Sequence, residues 1–244
     1  MRVGVYIDGY NLYYGGRHLL GRSQGWRWLD IRSLMNDLVG AQRGWPAATL
    51  EKVIYCTARI DQGLNPQGHI EQDAYLKALL ATGSVDHIEY GKYVKGLRNR
   101  PLAVKGPPPR RDLTLVKADW PIKVQSPLGT PVPDAIFMVS TLHQEEKGTD
   151  VNVASLLLVD VLKGDVDAAV VVSNDSDLKL PIRLAREVVP VGLVNPRGGL
   201  FAGDLTGKHS DGAGNHWWRK LGPDDFQAHQ LPDPAGGYQK PTGW

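Results

Sequence analysis

The chain has a single cysteine, Cys56, among its 244 residues. That scarcity excludes an internal disulfide framework and any cysteine-rich zinc module. Long apolar runs are also missing: none approaches the ~20 residues that a membrane span needs, so no membrane partner is expected. The opening residues, M-R-V-G-V-Y-I-D-G, place an aspartate where a secretion signal needs its apolar stretch. A cytoplasmic location is therefore the expectation. Charge of neither sign dominates: 28 basic side chains stand against 26 acidic ones, for a net charge of +2. On its own that balance suggests no polyanionic partner. Apolar content of 42% excludes wholesale disorder.

What is present is an alternation of strand-like and helix-like segments. Residues 2–7 enrich Val, Tyr and Ile and stop at Asp8-Gly9, the pattern of a strand ending in a turn. Further strand patterns lie at 53–58, 87–94, 168–173 and 189–194. The run A-A-V-V-V-S at 168–173 is of the kind buried on both faces of a parallel sheet. Helical spacing occurs at 31–39 behind Asp30, at 70–81, at 150–162 with Thr149 as its cap, and at 178–188, where Pro181 sets the start near Leu180. This alternation predicts an α/β domain with a largely parallel sheet over residues 1–195.

Two regions break the pattern. Residues 92–134 form a basic, proline-rich excursion, in which 92–123 hold nine Lys or Arg against two Asp. Residues 196–244 form a Gly/Pro-rich C-terminal extension, expected to pack in part. It holds His216-Trp217-Trp218, a short helical pattern near 223–228 and an end expected to be loose.

Ligands of an open parallel sheet bind beyond the carboxyl ends of its strands. Asp8 ends the first strand pattern, and Asp175 and Asp177 follow Val170-Val171-Val172 in S-N-D-S-D. Asp150 opens a helix behind the loop Glu145-Glu146-Lys147-Gly148-Thr149. If the first and fourth strands are neighbours, these carboxylates converge at one edge. Anions so crowded take up protons unless a cation sits among them. Oxygen donors without His or Cys suit Mg²⁺ or Mn²⁺ rather than Zn²⁺, and such a site activates water and neutralises charge on a phosphodiester. Taken singly, each of these aspartates also suits a turn or a helix cap, Asp177 above all. The joint pattern carries the inference.

Three blocks, V-G-V-Y-I-D-G-Y-N-L-Y, K-G-T-D-V-N-V-A-S-L-L-L-V-D and A-A-V-V-V-S-N-D-S-D-L-K-L-P-I, resemble in order the signatures of the NYN-domain family of the PIN-like nuclease superfamily. The resemblance spans about residues 1–195. It implies a Rossmann-like three-layer α/β/α sandwich and metal-dependent cleavage of RNA. By position it makes Asp8, Asp150 and Asp175 metal ligands, with Asp177 a further ligand or a support. It gives Asn11 a role in orienting a ligand or touching phosphate, and Ser173 a role in supporting the loop. Asn174 departs from the common S-G-D-S-D form, and a positive φ is one conformation that Asn tolerates there.

The basic excursion supplies Lys92, Lys95, Arg98, Arg100, Lys105, Arg110, Arg111, Lys117 and Lys123 as candidates to follow a phosphate backbone, with Tyr90, Tyr93 and Trp120 to stack bases. The same residues suit a solvated surface hairpin. Lys147 suits either a phosphate contact or an ordinary loop position. Of Tyr10, Tyr13 and Tyr14, at least two are expected to pack against the sheet. The expectation is a Mg²⁺- or Mn²⁺-dependent ribonuclease acting on single-stranded RNA. Its competitor is an NYN module without catalysis that binds RNA or a protein. A topoisomerase–primase-type site ranks behind both, because it wants a glutamate where Asp8 stands. The C-terminal aromatics leave a homodimer open.

Overall fold

The structure is a computed structural model that describes residues 1–101, 103–105, 113–115, 125–132, 137–203 and 205–244. The chain divides into two compact units, Met1–Tyr93 with Glu146–Trp244, and Val94–Glu145.

In the first unit, the strands β1 (Arg2–Asp8), β2 (Thr49–Ala58) and the start of β3 (His87–Pro101) lie side by side, all parallel. On the other side of β1 stand β7 (Ala168–Val172), β8 (Val191–Asn195) and β9 (Trp217–Lys220), again parallel. With β6 (Met138–Lys147) beside β3, the sheet order is β6-β3-β2-β1-β7-β8-β9. The first and fourth strand patterns of the sequence, β1 and β7, are therefore neighbours, with Ile7 opposite Val172. Their carboxyl ends open on one edge.

Helices cover both faces. On one face, Val3, Val5 and Ile7 of β1 pack with α1 (Gly9–Leu20), α2 (Ile31–Gly40) and α3 (Pro66–Ala81), and with Phe226 of α6 (Pro223–Ala228). On the other, Tyr6, Val171 and Leu193 pack with α4 (Thr149–Lys163) and α5 (Lys179–Arg186). β7 and β8 are buried at every position, as strands covered on both sides must be. Both sequence-derived boundaries and caps show small differences. Thr149 is the first residue of α4 rather than its cap; Gly148, at φ 91°, holds that place, a conformation that glycine adopts without a steric penalty. A 3₁₀ turn, Ser176–Leu178, precedes α5 and leaves Pro181 in its first turn.

The C-terminal extension adds β9 to the sheet edge, and Leu231 and Ala235 join the core. The final residue, Trp244, stands edge-on to Trp28 at 6.3 Å and donates its indole N–H to Glu71. Among the described residues, no helix is long and apolar enough to cross a membrane.

In the second unit the outer parts of β3 and β6 run in opposite directions: Arg98 meets Glu145 at 2.6 Å, and Arg100 meets His143 at 3.2 Å. β4 (Ala103–Lys105) and β5 (Leu113–Leu115) form an antiparallel pair. The segment 138–147, which carried no strand pattern by sequence, is thus a strand.

Candidate active site

Asp8 is the last residue of β1 and caps α1. Its carboxylate is 1% exposed and has three donors. The Asn11 backbone N–H reaches Oδ1 at 2.9 Å, the Asn11 amide reaches Oδ2 at 2.6 Å, and the Ser173 hydroxyl reaches Oδ2 at 3.0 Å. Burial drives the Asp8 pKa upward, opposed by these donors and aided by the charge of Glu146. Ser173 also accepts from the Asp175 N–H at 3.1 Å, so one hydroxyl joins the ends of β1 and β7.

Asp175 begins the 3₁₀ turn and accepts from the Asp177 N–H at 3.0 Å. It is half-buried, and Asp177 is exposed. Asp150 lies in the first turn of α4. Burial first, then Asp8, Asp175 and Asp177, raise its pKa to about 6. Asp150 therefore feels the charge of the other three sequence-derived aspartates.

The structure adds a fifth carboxyl group, Glu146 at the end of β6. Its pKa is raised by burial, with Asp150 pushing the same way, while a short hydrogen bond from the Thr149 hydroxyl opposes both. Sequence reasoning placed Glu146 in a loop before the helix. No local signal marked it, because β6 is too polar to show a strand pattern. Gly91 is the companion of this arrangement: a Cβ there would stand 2.6 Å from the Lys147 carbonyl oxygen, so only glycine lets β3 and the end of β6 approach.

Three tyrosines follow Asp8 on α1. Tyr10 and Tyr14 place their ring centroids 4.3 Å apart, and Tyr13 meets Tyr14 edge-on at 5.2 Å. All three remain more than a third exposed. The expectation that at least two would pack against the sheet is corrected: α1 presents its glycines inward, and the rings pack on one another. The Tyr93 hydroxyl has a raised pKa from burial and from Glu146, Tyr14 and Tyr10. Tyr90, a candidate base-stacking ring, is taken up by Arg59, whose guanidinium lies 4.9 Å from its ring centre.

Asn174 does not use the left-handed region; Ala47 and Asn215 are the non-glycine residues that do, among those described. Its side chain explains the departure from glycine instead. The amide donates to the Leu200 carbonyl at 3.1 Å and accepts from the Ala202 N–H at 2.9 Å, tying the loop after β8 to the Asp175 loop.

Lys92 and Lys147 are exposed in the first unit. Lys95, Arg98 and Arg100 lie on the part of β3 in the second unit, and Arg98 is paired with Glu145. Lys105 lies in β4. Arg110, Arg111, Lys117, Trp120 and Lys123 lie outside the described residues.

Among the described residues, no three His, Cys, Asp or Glu side chains are gathered tightly enough to hold a metal ion as they stand. The donors nonetheless suit a hard divalent cation in kind and charge: all are carboxylate oxygens, and their mutual repulsion is what a cation relieves. Asp8 is held by three hydrogen bonds, while Asp150 and Asp175 are half-buried and Asp177 is exposed.

No family model matches the chain. A curated relative, 6-hydroxy-3-succinoylpyridine 3-monooxygenase HspA of Pseudomonas putida (strain DSM 28022 / S16), is 28% identical over 264 residues, covering all of this chain and 75% of that protein. A solved structure of a protein of unknown function from Vibrio parahaemolyticus RIMD 2210633 aligns over 92% of this chain and 94% of its own, with 15% identity and a TM-score of 0.43.

Proposed function

We propose that the chain is a Mg²⁺- or Mn²⁺-dependent ribonuclease with a PIN-like, NYN-type core, hydrolysing phosphodiester bonds of single-stranded RNA. The supporting observation is the placing of Asp8, Glu146, Asp150, Asp175 and Asp177 toward one sheet edge, where burial first and then Asp8, Asp175 and Asp177 raise Asp150 to about 6, and Asp150 adds to the burial that raises Glu146. A bound divalent ion supplies Lewis acidity at the phosphodiester and lowers the pKa of a coordinated water. Asp8, Asp150 and Asp175 would hold it, with Asp177 and Glu146 as further oxygen donors. Asn11 and Ser173 fix Asp8 in one rotamer, so that the least mobile carboxylate sets the position of the others. Lys92 and Lys147, exposed near the pocket's strands, are the candidates to meet substrate phosphate.

The test is cleavage of single-stranded RNA with Mn²⁺. Wild type is expected to cleave, while Asp8→Asn and Asp175→Asn lose at least ~100-fold, in line with removal of groups that stabilise transition-state charge. Equal activity in all three proteins would falsify the ligand assignment. Tight RNA binding without cleavage, with no divalent ion bound, would instead establish the non-catalytic module.

The similarity, over the whole of this chain and 75% of the relative, to a 6-hydroxy-3-succinoylpyridine 3-monooxygenase supports a second reading, oxygenation of an aromatic ring at the same carboxylates. Conversion of 6-hydroxy-3-succinoylpyridine by the purified chain supplied with O₂ and a two-electron reductant, with its loss in Asp8→Asn, would favour it over RNA cleavage.

A further inference from the structure

A helix that covers a sheet normally turns positions i, i+3, i+4 and i+7 to the core. In α1 two faces have that spacing: Leu12, Gly15, Gly16 and the partly buried Leu19 turn to the core, while Tyr10, Tyr13, Tyr14 and Arg17, all four exposed, turn outward. A Cβ on Gly15 would stand 2.4 Å from the Pro196 carbonyl oxygen, and one on Gly16 would stand 2.6 Å from the Trp26 ring. The helix is anchored by contacts that only glycine permits, and its tyrosine rings each stay more than a third exposed.

We propose that this outward stripe, Tyr10–Tyr13–Tyr14–Arg17, is a platform on which single-stranded RNA stacks its bases as it enters the carboxylate pocket. The inference rests on the ribonuclease reading and names how its substrate is selected.

Three observations favour RNA as the occupant. The stripe is continuous with the carboxylates: Asp8 caps the helix that carries it, and Tyr10 is two residues beyond Asp8. The rings form a connected series, Tyr10 to Tyr14 at 4.3 Å, Tyr14 to Tyr13 at 5.2 Å, and Tyr13 to Trp26 at 5.6 Å. Arg17 continues the stripe away from the acidic end, exposed and without an ion pair among the described residues, where a phosphate would meet it. Aromatic faces with an adjacent cation are the elements by which proteins hold unpaired bases irrespective of sequence. A duplex keeps its bases stacked inside and offers these rings nothing, so the platform selects for single strands.

The test is fluorescence anisotropy of a short labelled single-stranded oligoribonucleotide with the full chain in EDTA, where binding is read apart from cleavage. Tyr10→Ala and Tyr14→Ala are expected to weaken binding about 5- to 150-fold each, the range for loss of one stacked base. Tyr10→Phe and Tyr14→Phe, which keep the ring, bind as wild type and show that the fold is intact. Arg17→Ala lowers the slope of binding against salt by about 0.7. Alanine variants that bind single strands as well as wild type overturn the platform, as does an equal loss on single-stranded and duplex RNA or no binding by wild type at all. If the tyrosine effects hold but wild type fails to cleave with Mn²⁺, the platform stands and the ribonuclease reading falls. If wild type cleaves while the alanine variants bind undiminished, the platform alone falls.

Discussion

Asp8 has three structural roles: it ends a buried strand, caps a helix, and supplies the most deeply buried carboxylate of the pocket. The partner that makes this arrangement rigid is Ser173, which donates to Asp8 and accepts from the Asp175 N–H. Replacing it by alanine leaves a buried carboxylate short of one donor and an N–H short of its acceptor. Ser173→Ala is expected to lose about 1–3 kcal/mol, measured as a lower urea midpoint with an unchanged slope. A midpoint equal to wild type would show that Ser173 does not carry the loop. At this scale the sequence was informative wherever a carboxylate followed a strand, as for Asp8 and Asp175. It was silent on Glu146, because burial and neighbouring charge, not local pattern, give that side chain its significance. Asn174 was visible as a departure from the family form, but its reason is a pair of hydrogen bonds to residues 200 and 202, far along the chain.

Among the elements, α1 and β6 are two that local pattern did not reveal. Two adjacent glycines weaken helix propensity by about 1 kcal/mol each, and the three tyrosines of α1 stand on its outward face while Leu12, Leu19 and Leu20 meet the core. Only the close approach of Gly15 to Pro196 and of Gly16 to Trp26 explains why those glycines are present. Gly15→Ala therefore sets a propensity gain of about 1 kcal/mol against a backbone clash, and overpacking of this kind costs about 1–3 kcal/mol. The clash is with a carbonyl oxygen that cannot rotate away, so the variant is expected to be less stable in thermal melts than wild type. A higher melting temperature would show that the helix can lift off the loop without loss. The strand β6 was hidden for a different reason. Its polar residues, with Glu145 and Glu146 near its end, lack alternation, and an edge strand with exposed positions needs none. By contrast β7 and β8, buried at every residue, were evident from composition, since few other environments accept five consecutive apolar residues.

For the molecule as a whole, placing several carboxylates at one edge has a cost that depends on pH. Asp150 has a folded-state pKa of about 6, above the ordinary value near 3.9, so the folded chain binds more protons than the unfolded chain between these values. The destabilisation is fully present above about pH 6 and is lost as pH falls through it. In EDTA the melting temperature is expected to rise from about pH 7 to about pH 5 through this group, and Asp150→Asn should melt higher than wild type at about pH 7 with a flatter profile. An unchanged profile in Asp150→Asn would show that solvent already screens the cluster. The near-neutral total of 28 basic and 26 acidic residues conceals this local excess of negative charge. By itself the sequence determined the α/β class, the parallel strands and the strand-end positions of Asp8 and Asp175, because alternation, apolar runs and strand-ending aspartates are local features. Tertiary structure alone decided that β1 and β7 adjoin, that Glu146 joins the carboxylates, and that the tyrosines of α1 face outward. Each of these depends on which distant segments share a surface, and no spacing along a single segment encodes that.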